Sequence, residues 1–367
     1  MYITEIIIGK IKLPLLKPYI SALRTVEYIE DIVVIIKTNN GVLGYGSATP
    51  TTALTGESYG SIVYALSEIL SPQLIGKNIA DFNKLIHLIN NALERNTSAK
   101  AAVEIALYDL FAKNCNLPLY QLLGGVYQEI NTGMTLGLKH IDELIGDATY
   151  FTNQGFTNLK IKTGAKGGID EDLERVTAVR RIVGQDVTIC IDANQSWSVK
   201  QSLKIIKKFE AQNLNVAMVE QPIKAYDLEG LKFLRDNLET EIYVDEGCSS
   251  PCDAMKIINH NMADGIVIKL MKAGGIYNAI NLFDMAIQHN VSCVACCMME
   301  SPISLTAMAS LAVGRKVKYV DLAPLKMIKQ NPITGGASLD GSKIVLSKDA
   351  GLGISSLGDI DILYKLK

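Results

Sequence analysis

From residue 132 to residue 323 the chain repeats one rhythm eight times: a short β-rich run, then a stretch long enough for a helix. The runs are TGMTLGL (132–138), TNLKIKT (157–163), VTICIDA (187–193), NVAMVEQ (215–221), EIYVDE (241–246), GIVIKL (265–270), VSCVACCMM (291–299) and KYVDLA (318–323). Strands alternating with helices in this number predict a parallel sheet closed into a (β/α) barrel. A doubly wound open sheet would accommodate the same alternation, but the chain carries no Gly-rich dinucleotide loop.

Each run ends on a residue that is polar or reactive: Thr135, Lys162, Asp192, Glu220, Asp245, Lys269, Cys297 and Asp321, spaced 24 to 30 residues apart. Each spacing is one βα unit. The eight are therefore expected at one height on the C-terminal rim, where barrel enzymes place their chemistry. A charge inside an apolar strand demands a partner, because burying it unpaired costs several kcal/mol. Three consecutive strands end in carboxylates, Asp192, Glu220 and Asp245. Converging acids repel unless a cation sits among them, and hard oxygen donors without histidine select Mg²⁺ or a similar ion. Strands two and six are opposite each other in a ring of eight, so Lys162 and Lys269 are expected to face one substrate from two sides. One base can take a proton from one face while the other delivers a proton to the opposite face, as racemisation or epimerisation requires. Lys160 shares a strand face with Lys162. It is expected to lower the pKa of Lys162 and to bind a substrate carboxylate. Such a carboxylate, next to the carbon that loses its proton, develops charge that the metal would stabilise.

Ahead of the barrel, residues 1 to about 50 read as strands, with a hairpin turn at Asn39-Asn40-Gly41. Residues 57 to about 114 read as helices, the segment 98–114 having Ser98 at its N-cap. Strands followed by helices predict a separate α+β domain over 1–125. The barrel then spans 126–334. The tail 335–367, with a strand over 341–347, is expected to return to the first domain. A net charge of −2 gives no electrostatic case for nucleic acid or a membrane surface. The opening MYITEIIIGKIKLPL is interrupted by charges and reads as a strand rather than a secretion signal. Together with seven cysteines, an odd number, that points to reduced thiols, and a cytoplasmic location is expected. The cysteines lack the second CxxC pair or neighbouring histidine that a zinc site needs.

With Lys160-x-Lys162, Asp192-x-Asn194, Glu220-Gln221-Pro222, Asp245-Glu246 and Lys269-Leu270-Met271-Lys272-Ala273-Gly274-Gly275, the chain resembles the muconate-lactonizing subgroup of the enolase superfamily over essentially its whole length. The resemblance implies a (β/α)7β barrel, an α+β capping domain and one Mg²⁺ per site. A subgroup using a histidine base near strand seven is disfavoured, since His87, His140, His260 and His289 all lie elsewhere. Dipeptide epimerases that act on L-Ala-D/L-Glu are the most similar members. They carry Asp-x-Asp at strand eight for the substrate ammonium, whereas this chain has Asp321-Leu322-Ala323. Arg24 resembles the arginine that holds the glutamate side chain in that group, by bidentate contact. Thr135, Cys297 and Met299 are expected to line the pocket. A small dipeptide is the implied partner, peptidoglycan-peptide recycling the implied role, and a homo-oligomer the expected assembly. N-succinylamino acid racemases, o-succinylbenzoate synthases and muconate cycloisomerases share the two lysines and remain open alternatives.

Overall fold

The computed structural model describes residues 1–127 and 129–367. Its eight-stranded parallel sheet runs through Met134–Leu136, Asn158–Lys162, Thr188–Asp192, Val216–Glu220, Glu241–Val244, Gly265–Lys269, Ser292–Cys296 and Tyr319–Asp321, here strands one to eight. All eight coincide with the runs read from the sequence. Gly133 N donates to Val320 O at 2.8 Å, and Leu322 N donates to the Thr132 hydroxyl at 2.9 Å, joining strand one to strand eight and closing the barrel. A helix follows each of strands one to seven, from Ile141–Asn153 after the first to Pro302–Arg315 after the seventh.

Three antiparallel strands, Ile3–Ile20, Thr25–Thr38 and Leu43–Ala48, form the N-terminal sheet, and Asp361–Leu366 adds itself beside the first. The tail therefore does return to this sheet, but not by the segment expected. Lys343–Val345 pairs instead with Ser338–Asp340 and with Ile130–Asn131, just ahead of strand one. Its alternating pattern satisfies either partner, so only register could decide.

The helix Thr97–Asn114 packs on this sheet. Its approach is so close that a Cβ on Gly46 would lie 1.8 Å from the Ala102 carbonyl oxygen. Ser98 is not its N-cap. Asn96 holds that position with a left-handed backbone, and Ser98 lies inside the first turn. The Glu57 carboxylate closes the turn instead, accepting from Ser98 N at 2.9 Å, Ser98 Oγ at 2.7 Å and Ala99 N at 3.2 Å. An anion there also meets the positive end of the helix dipole. The long hairpin of the first two strands reaches the barrel, where Leu138 N donates to Ile20 O at 2.8 Å. That contact brings Tyr19 to Arg24 over the C-terminal mouth.

Candidate active site

The strand ends meet in one pocket at that mouth. Nine of the residues singled out from the sequence line it directly: Arg24, Thr135, Lys160, Lys162, Asp192, Lys269, Cys297, Met299 and Asp321. Glu220 and Asp245 lie fully buried just beneath, each reached through a lysine. The eight strand-end positions are not all at one height. Lys162, Asp192 and Glu220 pair in register on strands two to four, and Lys269, Cys296 and Asp321 pair on strands six to eight. Thr135 pairs with Lys160, one pleat lower, and Asp245 lies beyond the end of strand five. Closing eight tilted strands requires such a stagger. The strand-seven position facing the centre is therefore Cys296 rather than Cys297. Cys297 still lines the pocket, and its Sγ lies 3.5 Å from Asp321 O.

Every lysine of the ring faces a carboxylate. Lys162 is ion-paired with Asp192 and lies 2.8 Å from Asn194 Oδ1. Lys160 bridges Glu220 at 2.7 Å and Asp321 at 2.6 Å. Lys269 meets Asp245 Oδ2 at 2.5 Å. Burial favours the neutral amine of Lys162, but the surrounding groups, Asp192 first, together outweigh it and the pKa is raised. Lys160 does push it down as expected, but does not set the direction: the paired acid is nearer than the second ammonium, and Lys160 is itself neutralised by two carboxylates. Asp321 likewise is not a bare anion, since the Thr135 hydroxyl also reaches it at 3.1 Å.

In the sequence Lys272 stands out only as part of the Lys269–Gly275 motif. It is buried, meets Asp245 Oδ1 at 2.7 Å and donates to the carbonyls of Cys248 at 2.9 Å and Val267 at 3.0 Å. It thus fixes the acid that Lys269 pairs with. The Gly274-Gly275 turn that follows has its own cause. Gly275 has φ +128°, and a Cβ there would lie 2.4 Å from Glu104 of the N-terminal helix. Tyr19, Leu54, Asn194, Cys296 and Met298 also line the pocket. Asn194 had a signal in its motif. Tyr19 had none, because only the tertiary fold carries that strand over the mouth.

Among the described residues no three carboxylate, histidine or cysteine side chains are gathered closely enough to enclose an ion. Yet oxygens remain unanswered. Glu220 Oε1 and Glu246 Oε2 are buried without a hydrogen-bond partner. Burial, with the nearby Asp192, pushes Glu220 up to about 8. Burial and Asp245 push Glu246 up to about 7. Orphaned carboxylate oxygens are the donor set of a hard dication, which would restore their charged form. Burial pushes the Cys296 thiol up to about 12.

Arg24 lines the same pocket. The turn that presents it is closed by Ser21 N donating to Arg24 O at 3.0 Å. Among the described residues its guanidinium has no carboxylate within ion-pair distance, and burial lowers its pKa.

Comparison with known proteins accords with this geometry. Residues 3–124 match the mandelate racemase/muconate lactonizing enzyme N-terminal domain, and residues 144–359 match the enolase C-terminal domain-like family. The chain is 37% identical to an L-Ala-D/L-Glu epimerase of Clostridium acetobutylicum, over 98% of this chain and 100% of that one. It superposes with TM-score 0.94 on a substrate-liganded L-Ala-D/L-Glu epimerase of Bacillus subtilis, at 40% identity over 96% of this chain and 99% of that one. A dipeptide epimerase of Enterococcus faecalis V583, complexed with Mg and the dipeptide L-Leu-L-Tyr, superposes with TM-score 0.93 at 35% identity over 97% and 100% of the two chains. The chain belongs to the mandelate racemase/muconate lactonizing enzyme family of the enolase superfamily.

Proposed function

We propose that this protein is a Mg²⁺-dependent dipeptide epimerase acting on L-Ala-D/L-Glu. The observation that carries the reading is the placement of Lys162 and Lys269 on opposite strands of one pocket, with an unpaired Arg24 at its wall. The relatives of the same name, matched over nearly their full length, point the same way.

Asp192, Glu220 and Asp245 would hold the metal, which supplies charge stabilisation for the substrate carboxylate as its α-proton leaves. Lys160 orients that carboxylate. Lys162 and Lys269 each exchange a proton with the α-carbon of the second residue, one from each face. A lysine must be neutral to accept a proton, so the one that starts the reaction has to give up its hold on a carboxylate first. The Arg24 guanidinium receives the glutamate side chain, and Asp321, on the far side, receives the α-ammonium of the first residue. Thr135, Cys297 and Met299 complete the walls. We assign residues 1–125 with 335–367 to the capping domain and 126–334 to the barrel, a division supported by the pairing of Asp361–Leu366 with the first strand. A cytoplasmic, homo-oligomeric enzyme of peptidoglycan-peptide recycling suits the substrate. The seven free cysteines suit a reducing compartment. No helix of the described residues is long and apolar enough to cross a membrane.

The test is turnover of L-Ala-L-Glu in D₂O with Mg²⁺, read by NMR and a chiral assay. Deuterium at the glutamate α-carbon with formation of L-Ala-D-Glu is expected. Absence of exchange, with exchange of an N-succinylamino acid run beside it, would replace this reading by a racemase on the same site.

A further inference from the structure

A second cavity of about 570 Å³ adjoins the active-site pocket. Tyr19, Thr135 and Met327 line both. Leu16 and Pro18 of the first strand form one side of it. Met134 beneath, and Tyr150 and Phe151 on the first barrel helix, form the other. Three of its five charged residues answer one another: Asp147 takes Lys17 at 3.2 Å and is also paired with Lys139. Glu143, exposed, and Lys326, half-buried, also line it, with no ion-pair partner among the described residues. Lys17 itself is mostly in water, with 69% of its side chain exposed.

The position of this cavity follows from Asp321. In the reading above, Asp321 receives the ammonium of the first residue of the dipeptide. Thr135 is hydrogen-bonded to that carboxylate at 3.1 Å and also borders the second cavity. The side chain of the first residue leaves the carbon that bears this ammonium, so it departs beside Thr135 and Met327. Arg24, Leu54 and Met298, which border only the active-site pocket, are left to the second residue. We propose that the second cavity is the subsite for the side chain of the first residue, and that it takes a large apolar one, so that alanine is not the limit of what this enzyme accepts. An apolar wall rewards each buried methylene, and a cavity of this size leaves an alanine methyl short of it.

Gly146 provides the test. It lies on the helix Ile141–Asn153 and lines the cavity, and a Cβ built on it meets nothing within 4 Å. Gly146→Phe therefore fills the cavity from a helix that tolerates a side chain there, and Gly146→Leu serves if phenylalanine disturbs folding. The wild-type enzyme should epimerise L-Phe-L-Glu with kcat/KM within about tenfold of that for L-Ala-L-Glu. Filling the cavity should cut the ratio of the two values at least about tenfold, and Gly146→Ala should leave the ratio nearly unchanged. An unchanged ratio in the filled variants, rejection of L-Phe-L-Glu by the wild type, or a preference for L-Lys-L-Glu over both would overturn the assignment while leaving dipeptide epimerisation intact. Failure of the wild type on every dipeptide would instead overturn the reading on which it rests.

Discussion

The barrel centre and the N-terminal helix both bury charge, and they satisfy it in opposite ways. In the barrel, side chain answers side chain: four lysines and four acids interlock across six strands and the loops that follow them, with oxygens of Glu220 and of the neighbouring Glu246 left over. On the helix Thr97–Asn114, acids are answered mainly by backbone. Asp109 accepts from Tyr45 N at 2.9 Å and Leu352 N at 2.7 Å, besides Lys113 at 2.8 Å. Glu104 accepts from Tyr277 N at 2.6 Å. Backbone donors cannot move without unfolding, so those acids tie the N-terminal sheet, the barrel helix Ile276–Gln288 and the tail together. Lysine partners can be exchanged for a substrate and an ion. The lesson is that the partner, more than the burial, separates an acid that holds the fold from one that takes part in chemistry.

That comparison can be broken most sharply at the lysines. Lys162→Ala and Lys269→Ala should each lower epimerisation by about 10³-fold or more, the scale of a lost proton-transfer group. Circular dichroism should remain that of the wild type. Near-normal turnover in either variant would end the two-base scheme. A smaller effect is expected at Arg24. Arg24→Leu should lower kcat/KM for acidic second residues about 10- to 100-fold, the worth of a charge-assisted pair of about 1.5–3 kcal/mol, while neutral second residues lose little. Equal losses across a dipeptide panel would make Arg24 a bystander.

The smallest effect belongs to the helix and concerns stability. Burial pushes Glu104 up to about 8, above the ordinary carboxylate range. The folded chain then holds a proton that the unfolded chain releases, so stability falls as pH rises between about 5 and 8. The slope contributed is at most ~1.4 kcal/mol per pH unit. Glu104→Gln cannot titrate and should flatten the decline of the thermal midpoint over that range. The same slope in both proteins would mean that Glu104 is charged throughout and that its backbone donors suffice.

Much of this was legible in the chain. The eight strands fell where their apolar runs stood, because parallel barrel strands are buried on both faces and read as short, nearly continuous hydrophobic segments. The charged strand ends were visible against that background, since three consecutive strands ending in acids call for a cation where one alone would not. The failures have physical causes too. Ser98 has the right chemistry for a cap, but a carboxylate forty-one residues earlier, Glu57, does the work through space. Cys296 and Cys297 are adjacent and identical, so only strand register could say which one faces the centre. Lys343–Val345 suits several sheet edges, and its neighbour was settled by packing.

The sequence by itself determined the barrel, its charged strand ends and the opposition of Lys162 and Lys269, because a βα repeat has a fixed length and a closed ring of eight has fixed opposites. Only the tertiary structure decided the stagger of that ring, the pairing of each lysine with its acid, the arrival of Tyr19 and Arg24 over the mouth, and the second cavity beside Thr135. Each of those depends on segments that are separate in the chain, from 24 residues apart for Lys269 and Asp245 to 186 for Thr135 and Asp321, meeting at ångström separations, and no local pattern in the chain encodes such a distance.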